Sequence, residues 1–375
     1  MTIILFLAVL SVLVVVHELG HFLAARLFGV GVEEFGLGFP PRLLGWFRNG
    51  RHHWRTVGWR TRRRRHHTIF SLNWIPLGGF VRLRGEEGIR WPGDKTNFAN
   101  KTVGQRAVII VAGVVMNIVL ATVLFIGGLT IGWPQATDNL HSGARVISRQ
   151  VAVIEVLPDS PAKQAGLQPG DAIVQAGGLA VESIAGLRLI NSDSAGQPVN
   201  YQISRQSKMI NLAIAPKPME ISSGQYGIGV ALAESGLVAY RWPQAVWEGL
   251  SLTANNLKDI AVGFWYLLAG LFQGQDMSDQ VAGPVGIAVL TGQISHLGWI
   301  YLLQFIALLS LNLAFINILP LPALDGGRLF FIVLEKITGR PTRANLEVAI
   351  HNIGFILLLA LVIFITFQDV GRLIK

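Results

Sequence analysis

Long runs of apolar residues are the dominant pattern of the chain. A helix needs about 20 such residues to cross the hydrocarbon core of a bilayer. Runs of that length extend over residues 2–25, 107–133, 297–324 and 348–367. A cleaved signal peptide is the alternative for the first run, but nothing basic precedes its apolar core and the run exceeds the length of such a core. We predict transmembrane helices at 1–28, 104–133, 297–327 and 348–368.

Composition agrees with a membrane protein and limits its chemistry. Hydrophobic residues make up 51% of the 375 positions and charged residues 14%, whereas soluble domains carry about 25% charged residues. The chain has no cysteine, which excludes disulfides and thiolate metal sites. A metal ion would have to be held by histidine, carboxylate or backbone oxygen.

Charge is distributed unevenly between the segments that join the apolar runs. The loop 29–103 and its flanking Arg26 contain 15 basic and 5 acidic residues, whereas residues 134–243 contain 8 of each. Because basic loops stay in the cytoplasm, the first loop is predicted inside and the second segment outside. The first helix then runs inward. The Arg-rich insert 48–65 could bind nucleic acid, but a topology signal lying against anionic lipid is favoured, so no nucleic-acid partner is expected.

The sequence pattern of the external segment indicates a small, mainly-β domain. In VAVIEVLPDSPAKQAGLQPGDAIVQA, Val151 and Val153 alternate as in a strand, and Ser160-Pro161 can start a short helix. Gly166 can end that helix. We place this domain at 142–218, inserted between transmembrane helices. An amphipathic helix is predicted at 242–274; it either lies in the outer membrane interface or packs on the spanning helices.

The first apolar run contains the motif HELGH. His17, Glu18 and His21 are its only ionisable side chains between Thr2 and Ala25, and such groups are costly within a bilayer. Residues four apart share one helix face, so both imidazoles can reach one zinc ion, while Glu18 can approach a metal-bound water. The alternative is a group of buried polar residues that pair with neighbours or line a wet cavity.

A third metal ligand must come from elsewhere, since catalytic zinc typically has three protein ligands. Asp325 is the only carboxylate between Asp279 and Glu335. It follows two prolines at the inner end of the third run, which also runs inward. Asp325 therefore reaches a depth similar to that of His17, which lies about 22 Å along the first helix. The alternative for Asp325 is the N-cap of the next helix.

Several motifs, taken in order, resemble the site-2 proteases, a family of intramembrane zinc metalloproteases. The motifs are HELGH at 17–21, NWIPLGGFVRLRGE at 73–86, Gly113 with Asn117, AGPVGIA at 282–288 and NxxPxPxLDGG at 317–327. The external segment carries SPAxxAGLxxGDxI, which resembles the PDZ hallmark. The resemblance implies one Zn²⁺ held by His17, His21 and Asp325, with Glu18 as the base. It also implies that Asn312 and Asn317 contact substrate.

The resemblance defines the expected function. The chain is expected to cleave a peptide bond within the transmembrane segment of single-pass proteins, such as anti-sigma factors or remnant signal peptides, in the bacterial inner (plasma) membrane. The active site would face the cytoplasm. The PDZ domain would be external, as a size filter or a binder of a peptide C-terminus. The insert 48–65 fits no motif of the family, and close relatives often have two PDZ domains rather than one.

One further segment is expected to handle the substrate. IFSLNWIPLGGFVRLRG is too short to span, and its Pro76 and Gly78-Gly79 favour a turn. We predict a re-entrant β-hairpin at 68–85 whose edge, at Gly78, Gly79 and Phe80, accepts an unwound substrate as an added strand. The alternative is an interfacial hairpin with no substrate role.

Two other functions compete with proteolysis. A non-catalytic, membrane-anchored PDZ scaffold would leave Glu18, His21 and Asp325 without a function inside the bilayer. A zinc transporter would be expected to show internal repeats or further intramembrane ligands along a path, and the sequence shows neither. The fold class expected from all these features is a polytopic α-helical membrane protein with a re-entrant β-hairpin and an inserted mainly-β PDZ domain.

Overall fold

The computed structural model describes residues 2–48, 53–58, 67–86, 91–137, 140–205, 208–218, 226–275, 282–340, 342 and 344–374. Most of the Arg-rich insert 48–65 lies outside this set. The helices are α1 Thr2–Leu27, α2 Val103–Ile131, α3 Pro161–Gln164, α4 Ile184–Asp193, α5 Trp242–Phe272, α6 Pro284–Leu297, α7 Trp299–Ile318, α8 Asp325–Thr338 and α9 Ala344–Ile374. The strands are β1 Val32–Arg48, β2 Trp54–Val57, β3 Ile69–Leu83, β4 Trp133–Ala136, β5 Arg145–Val156, β6 Ala172–Ala176, β7 Leu179–Ala180, β8 Val199–Arg205, β9 Lys208–Ile214, β10 Lys217–Pro218, β11 Tyr226–Gly227 and β12 Val230–Ala239.

Four helices of the described chain are long and apolar enough to cross a membrane: α1, α2, α7 and residues 345–372 of α9. The third differs from the predicted span 297–327, because α7 ends at Ile318 and Asp325 opens the separate helix α8. Pro320 and Pro322 account for the break, since proline lacks the N–H that a continuing helix needs. Ala323 turns the chain between them and α8, with a φ of 73°.

The first compact unit consists of residues 1–123, 251–292 and 305–375, and several close contacts join its helices. A Cβ on Gly20 of α1 would collide with the backbone carbonyl of Ala112 on α2, so the two helices approach closely only with glycine at that position. The amphipathic helix α5 packs on its spanning neighbours. Its Thr253 hydroxyl is 3.1 Å from that of Thr122 on α2, and its Phe264 ring meets Phe315 of α7 edge to face.

The sheet β2-β1-β3 corrects the predicted hairpin. The two arms of the predicted hairpin are residues 69–73 and 79–83 of β3, and they do not pair with each other. Residues 34–37 of β1 lie between the arms, so that Gly36 is opposite Phe80 on one side and Ser71 on the other. A Cβ at position 36 would be 2.8 Å from the Asn73 amide nitrogen, so a larger residue there would push the neighbouring side chains aside. The two arms of β3 therefore belong to one sheet only through β1, a strand that the sequence did not predict.

The turn between the two arms of β3 lies along α1. The Ser11 hydroxyl is 3.5 Å from the carbonyl oxygen of Pro76. A Cβ on Gly78, whose φ is 70°, would be 3.0 Å from Val14, and one on Gly79 would be 3.2 Å from Val15. At 1.5 Å per residue, the turn sits about 24 Å from the Leu27 end of α1. It reaches more than half-way along a helix that is long enough to span a bilayer.

The second compact unit, residues 124–250 and 293–304, contains an antiparallel sheet of strand order β4-β12-β5-β6-β8-β9, with β7 paired to β6. The predicted domain limits, 142–218, were too narrow. β12 at 230–239 lies between β4 and β5 and pairs with both. Strand pairing joins segments that are distant in sequence, so neither outer limit could be seen in the local pattern. The helices α3 and α4 cover a core that includes Val151, Leu167 and Tyr201.

The PDZ hallmark residues have distinct structural tasks. Ser160 caps α3 by accepting a hydrogen bond from the Lys163 N–H at 3.1 Å, and Pro161 occupies the first turn. The Asp171 carboxylate, 1% exposed, binds the Arg205 guanidinium through both oxygens, each at 2.7 Å. This contact raises the pKa of Arg205. Asp171 also accepts the Gln168 N–H at 2.8 Å, which closes the turn before β6.

Substitution of Asp171 by asparagine should destabilise this unit by about 1–3 kcal/mol, since one charge-assisted bond is lost and Arg205 retains some access to water. Hydrogen exchange of β5, β6 and β8 amides in the full chain would measure the change. The exposed Asp159→Asn serves as the matched control. Equal protection in both variants would contradict a stabilising role for the Asp171–Arg205 pair.

Candidate metal centre

Three ligand atoms from two distant parts of the chain converge inside the first unit. His17 Nε2 and Asp325 Oδ2 are 2.8 Å apart, and His21 Nε2 is 3.2 Å from each of them. Both histidines are 6% exposed. A tetrahedral zinc ion with bonds of about 2.0–2.1 Å separates its ligand atoms by about 3.3 Å. The triangle therefore has the size and the donor types of a zinc site, and no second cluster of this kind occurs in the described part of the chain.

The second nitrogen of His21 shows why this cluster suits a cation. His21 Nδ1 lies 2.8 Å from the carbonyl oxygen of Ile109, which can only accept, so Nδ1 carries the ring proton. In the neutral ring, the Nε2 lone pair then faces the Asp325 carboxylate. A lone pair and a carboxylate oxygen repel unless a cation lies between them. A histidine that binds a metal ion commonly donates its other ring N–H to a backbone carbonyl, which fixes the tautomer and the orientation of the ring.

His17 has a matching neighbour on α2. Its Nδ1 is 3.3 Å from the side-chain amide nitrogen of Asn117, whose buried Oδ1 has no hydrogen-bond partner among the described residues. Turning that amide by 180° places Oδ1 where it accepts the Nδ1 proton of His17, which leaves Nε2 as the ligand atom. The fit to a metal ion therefore extends beyond the three ligands.

Asp325 occupies the first position of α8, and its side chain faces the two histidines. The N-cap residue is Leu324, so the capping alternative does not describe Asp325. Its placement depends on the turn before it: the Ala323 N–H donates to His351 Nδ1 of α9 at 3.0 Å. One turn further on, Arg328 forms an ion pair with Glu86, just after β3. Both contacts hold the start of α8 in place.

Glu18 lies beside the cluster but does not belong to it. Its Oε2 accepts the backbone N–H of Val81 on the second arm of β3 at 2.8 Å. Consecutive helical residues point about 100° apart, so Glu18 faces the sheet while His17 and His21 face α2. The carboxylate stands between the metal cluster and the edge of the sheet.

A cavity of about 450 Å³ opens onto these groups. Of the predicted site residues, Glu18, His21, Asp325 and Phe80 line it. Gly78 and Gly79 form the turn against α1 and are not in its wall. Asn312 and Asn317 are on α7 and are not in its wall either; the Asn312 amide donates to Leu308 O of its own helix at 2.9 Å. Their substrate contacts stay predictions.

Sequence reasoning missed the role of His351, which lines the cavity. The available signal was a single histidine in the fourth apolar run. The roles of Gly113 and Asn117 were also missed, although the motif that contains them was noted. A Cβ on Gly113 would collide with the His21 ring and would be 2.9 Å from Cε1 of His17, so the histidines have room only beside glycine.

Two buried histidines, a carboxylate and an adjacent glutamate, set beside helices long enough to span a bilayer, define a membrane metalloprotease. Comparison with known families agrees: the model of peptidase family M50 matches residues 5–361. The chain belongs to this family.

Individual relatives align along nearly the whole chain. A candidate zinc metalloprotease of Clostridium perfringens is 32% identical, over 99% of this chain and 98% of that protein. Zinc metalloprotease RasP of Geobacillus kaustophilus is 28% identical, over 99% and 98%. Among solved structures, the PDZ domain of the SdrC-like protein of Listeria innocua is 26% identical, covering 22% of this chain and 92% of that chain, with a TM-score of 0.20.

Substitution of Gly113 by alanine should lower metal affinity by more than about tenfold, because the new methyl group occupies the space of both imidazoles. Metal content after dialysis against a graded zinc buffer measures the loss. Gly104→Ala, on the same helix, is the matched control, since its Cβ would meet nothing within 4 Å. Equal zinc retention by the two variants would show that the rings are not held as described.

Proposed function

We propose that the chain is an intramembrane zinc metalloprotease that hydrolyses a peptide bond within the transmembrane segment of single-pass membrane proteins. The observation that carries the proposal is the convergence of His17 and His21, on the candidate membrane span α1, with Asp325 of α8, beside Glu18. These three residues would hold one Zn²⁺. Bound zinc supplies Lewis acidity and lowers the pKa of a coordinated water.

Glu18 performs the proton transfers. It accepts a proton from the attacking water and passes it to the nitrogen of the departing chain. Its bond to the Val81 N–H holds the carboxylate in one orientation. Water reaches the site through the cavity of about 450 Å³, whose lining includes the charged Glu86 and Arg328.

Substrate must be unwound before cleavage, because a helix keeps its peptide groups within its own hydrogen-bond ladder. The second arm of β3 supports a way to bind the unwound chain. Its Val81 N–H bonds to Glu18 rather than to a strand, and the next residue towards the turn, Phe80, lines the cavity. An extended substrate added at this edge would lie beside Glu18. The turn at Gly78 and Gly79 would dip into the bilayer, as its position along α1 supports.

Topology and partners follow from charge. The basic loop 29–103 would face the cytoplasm of a bacterium, and the PDZ domain would lie outside the inner membrane, as a size filter or a binder of a peptide C-terminus. A reporter fused within residues 48–67 should therefore score cytoplasmic, and one near Gln197 external. The reverse result would overturn the topology while leaving the metal centre unaffected.

The deciding experiment reconstitutes the full chain in vesicles with a tagged single-pass substrate. Cleavage inside the substrate's transmembrane segment, lost on chelation and restored by zinc, is the expected result. A scaffold would bind the substrate without cleaving it. A transporter would move zinc across the vesicle and leave the substrate intact. Either outcome would replace the proposed function.

A further inference from the structure

A second cavity, of about 470 Å³, lies between the sheet β2-β1-β3 and the last turn of α1. Its described lining combines charged and aromatic side chains: Phe22, Arg26, Glu33, Arg48, Trp54, His67, Phe70 and Arg84. The volume is within the range of small-molecule sites, about 300–1,000 Å³. The peptidase site contains none of these residues.

The positive charge of this cavity is only partly balanced. Arg84 is 3.4 Å from Asp94 and lies over the Trp91 ring. Arg26 and Arg48 have no carboxylate partner within the part of the chain that the structure describes. Glu33 is the one carboxylate among the described residues of the lining. Two guanidinium groups are thus available to an anion, and guanidinium matches the geometry of phosphate oxygens.

The aromatic wall lies on the membrane side of this charge. Phe22 is one turn deeper along α1 than Arg26, and its ring is 6.0 Å from that of Phe70. The Trp54 ring is 6.3 Å from the same Phe70. Arg26 is in the last turn of a helix long and apolar enough to span a bilayer, so in a spanning α1 its charge would lie at headgroup level and Phe22 at acyl-chain level. The cavity therefore changes from polar to apolar along the direction of α1.

We propose that this cavity binds an anionic phospholipid, with the phosphate between Arg26 and Arg48 and an acyl chain against Phe22 and Phe70. The polar-to-apolar gradient favours a lipid over a soluble phosphate, which would use only the charged end. It favours a lipid over an acidic peptide for the same reason. Basic pockets at the cytoplasmic ends of spanning helices suit such headgroups.

The test uses the full chain in detergent, supplemented with phosphatidylglycerol or phosphatidylcholine, and measures bound lipid by native mass spectrometry. The wild type should retain phosphatidylglycerol selectively. The double variant Arg26→Gln/Arg48→Gln should bind it about 30-fold more weakly, since two charge contacts are lost. The matched control is Arg55→Gln/Arg340→Gln, which removes the same charge from residues outside the lining and should bind as the wild type does.

Three results would overturn the proposal: equal losses in both double variants, equal retention of the two lipids by the wild type, or displacement of the lipid by millimolar inorganic phosphate or an acidic peptide. A charge-conserving variant, Arg26→Lys/Arg48→Lys, covers the case in which the glutamine variant unfolds. It should keep most of the selectivity for phosphatidylglycerol. Failure of the lysine variant to distinguish the two lipids, while folded, would also contradict the site.

Discussion

Glu18→Gln should bind zinc as the wild type does and cleave the substrate about 10²–10⁴-fold more slowly. Glutamine has the same shape as glutamate, and its amide oxygen can still accept the Val81 N–H that Glu18 accepts at 2.8 Å. What it lacks is the ability to take a proton from water. Because Glu18 is not among the three converging ligand atoms, metal content should not change.

The measurement pairs zinc content with single-turnover cleavage of a single-pass substrate. Glu18→Asp provides a graded control, since it keeps the carboxylate but withdraws it by one methylene group, and it should retain partial activity. Wild-type cleavage by Glu18→Gln would remove Glu18 from the mechanism. Loss of zinc in the same variant would assign Glu18 to the metal site.

Asp325→Ala should lose zinc and activity together, with zinc affinity lowered by more than about 100-fold. The substitution leaves His17 and His21, and two ligands do not make a catalytic zinc site. Removal of a residue that merely supports a ligand already costs about 10–100-fold, so removal of a ligand should cost more. It also removes the negative charge that the two histidines approach within 2.8 and 3.2 Å.

Asp369→Ala is the control for a general effect of removing a buried carboxylate. Asp369 is 4% exposed and accepts the N–H groups of Gly283 and Gly286 at the start of α6. Its loss should weaken that helix start and leave zinc bound. Full zinc affinity in Asp325→Ala would require a different third ligand. Zinc loss in both variants would indicate that the assay reports unfolding.

Some residues of the metal site could be predicted from the sequence and others could not. His17, Glu18 and His21 are close in sequence, and the period of a helix alone decides which of them share a face. Asp325 stood out as a lone carboxylate in an apolar, proline-broken stretch, but nothing local joined it to residues about 300 positions earlier. The carbonyl of Ile109 could not be found at all, because every residue has a carbonyl group.

The strand β1 was missed for a related reason. Its sequence VEEFGLGFPPRLLGWFR contains three glycines and a Pro-Pro pair, which locally favour turns. Gly36 lies between the two arms of β3, and the side chains of Phe80, Asn73 and Ser71 occupy the space into which its own side chain would project. A residue chosen for a long-range contact thus has the local signature of a strand breaker.

The amino-acid sequence by itself determined the spanning helices, the PDZ hallmark, the helical pair of histidines with its glutamate, and the exclusion of cysteine ligands. All of these depend on composition or on the spacing of neighbouring residues. Only the tertiary structure decided that Asp325 meets both histidines, that β1 separates the arms of β3, that α7 ends at Ile318 and that α2 and His351 orient the site. These features depend on which distant segments pack together, and short-range periodicity carries no information about that.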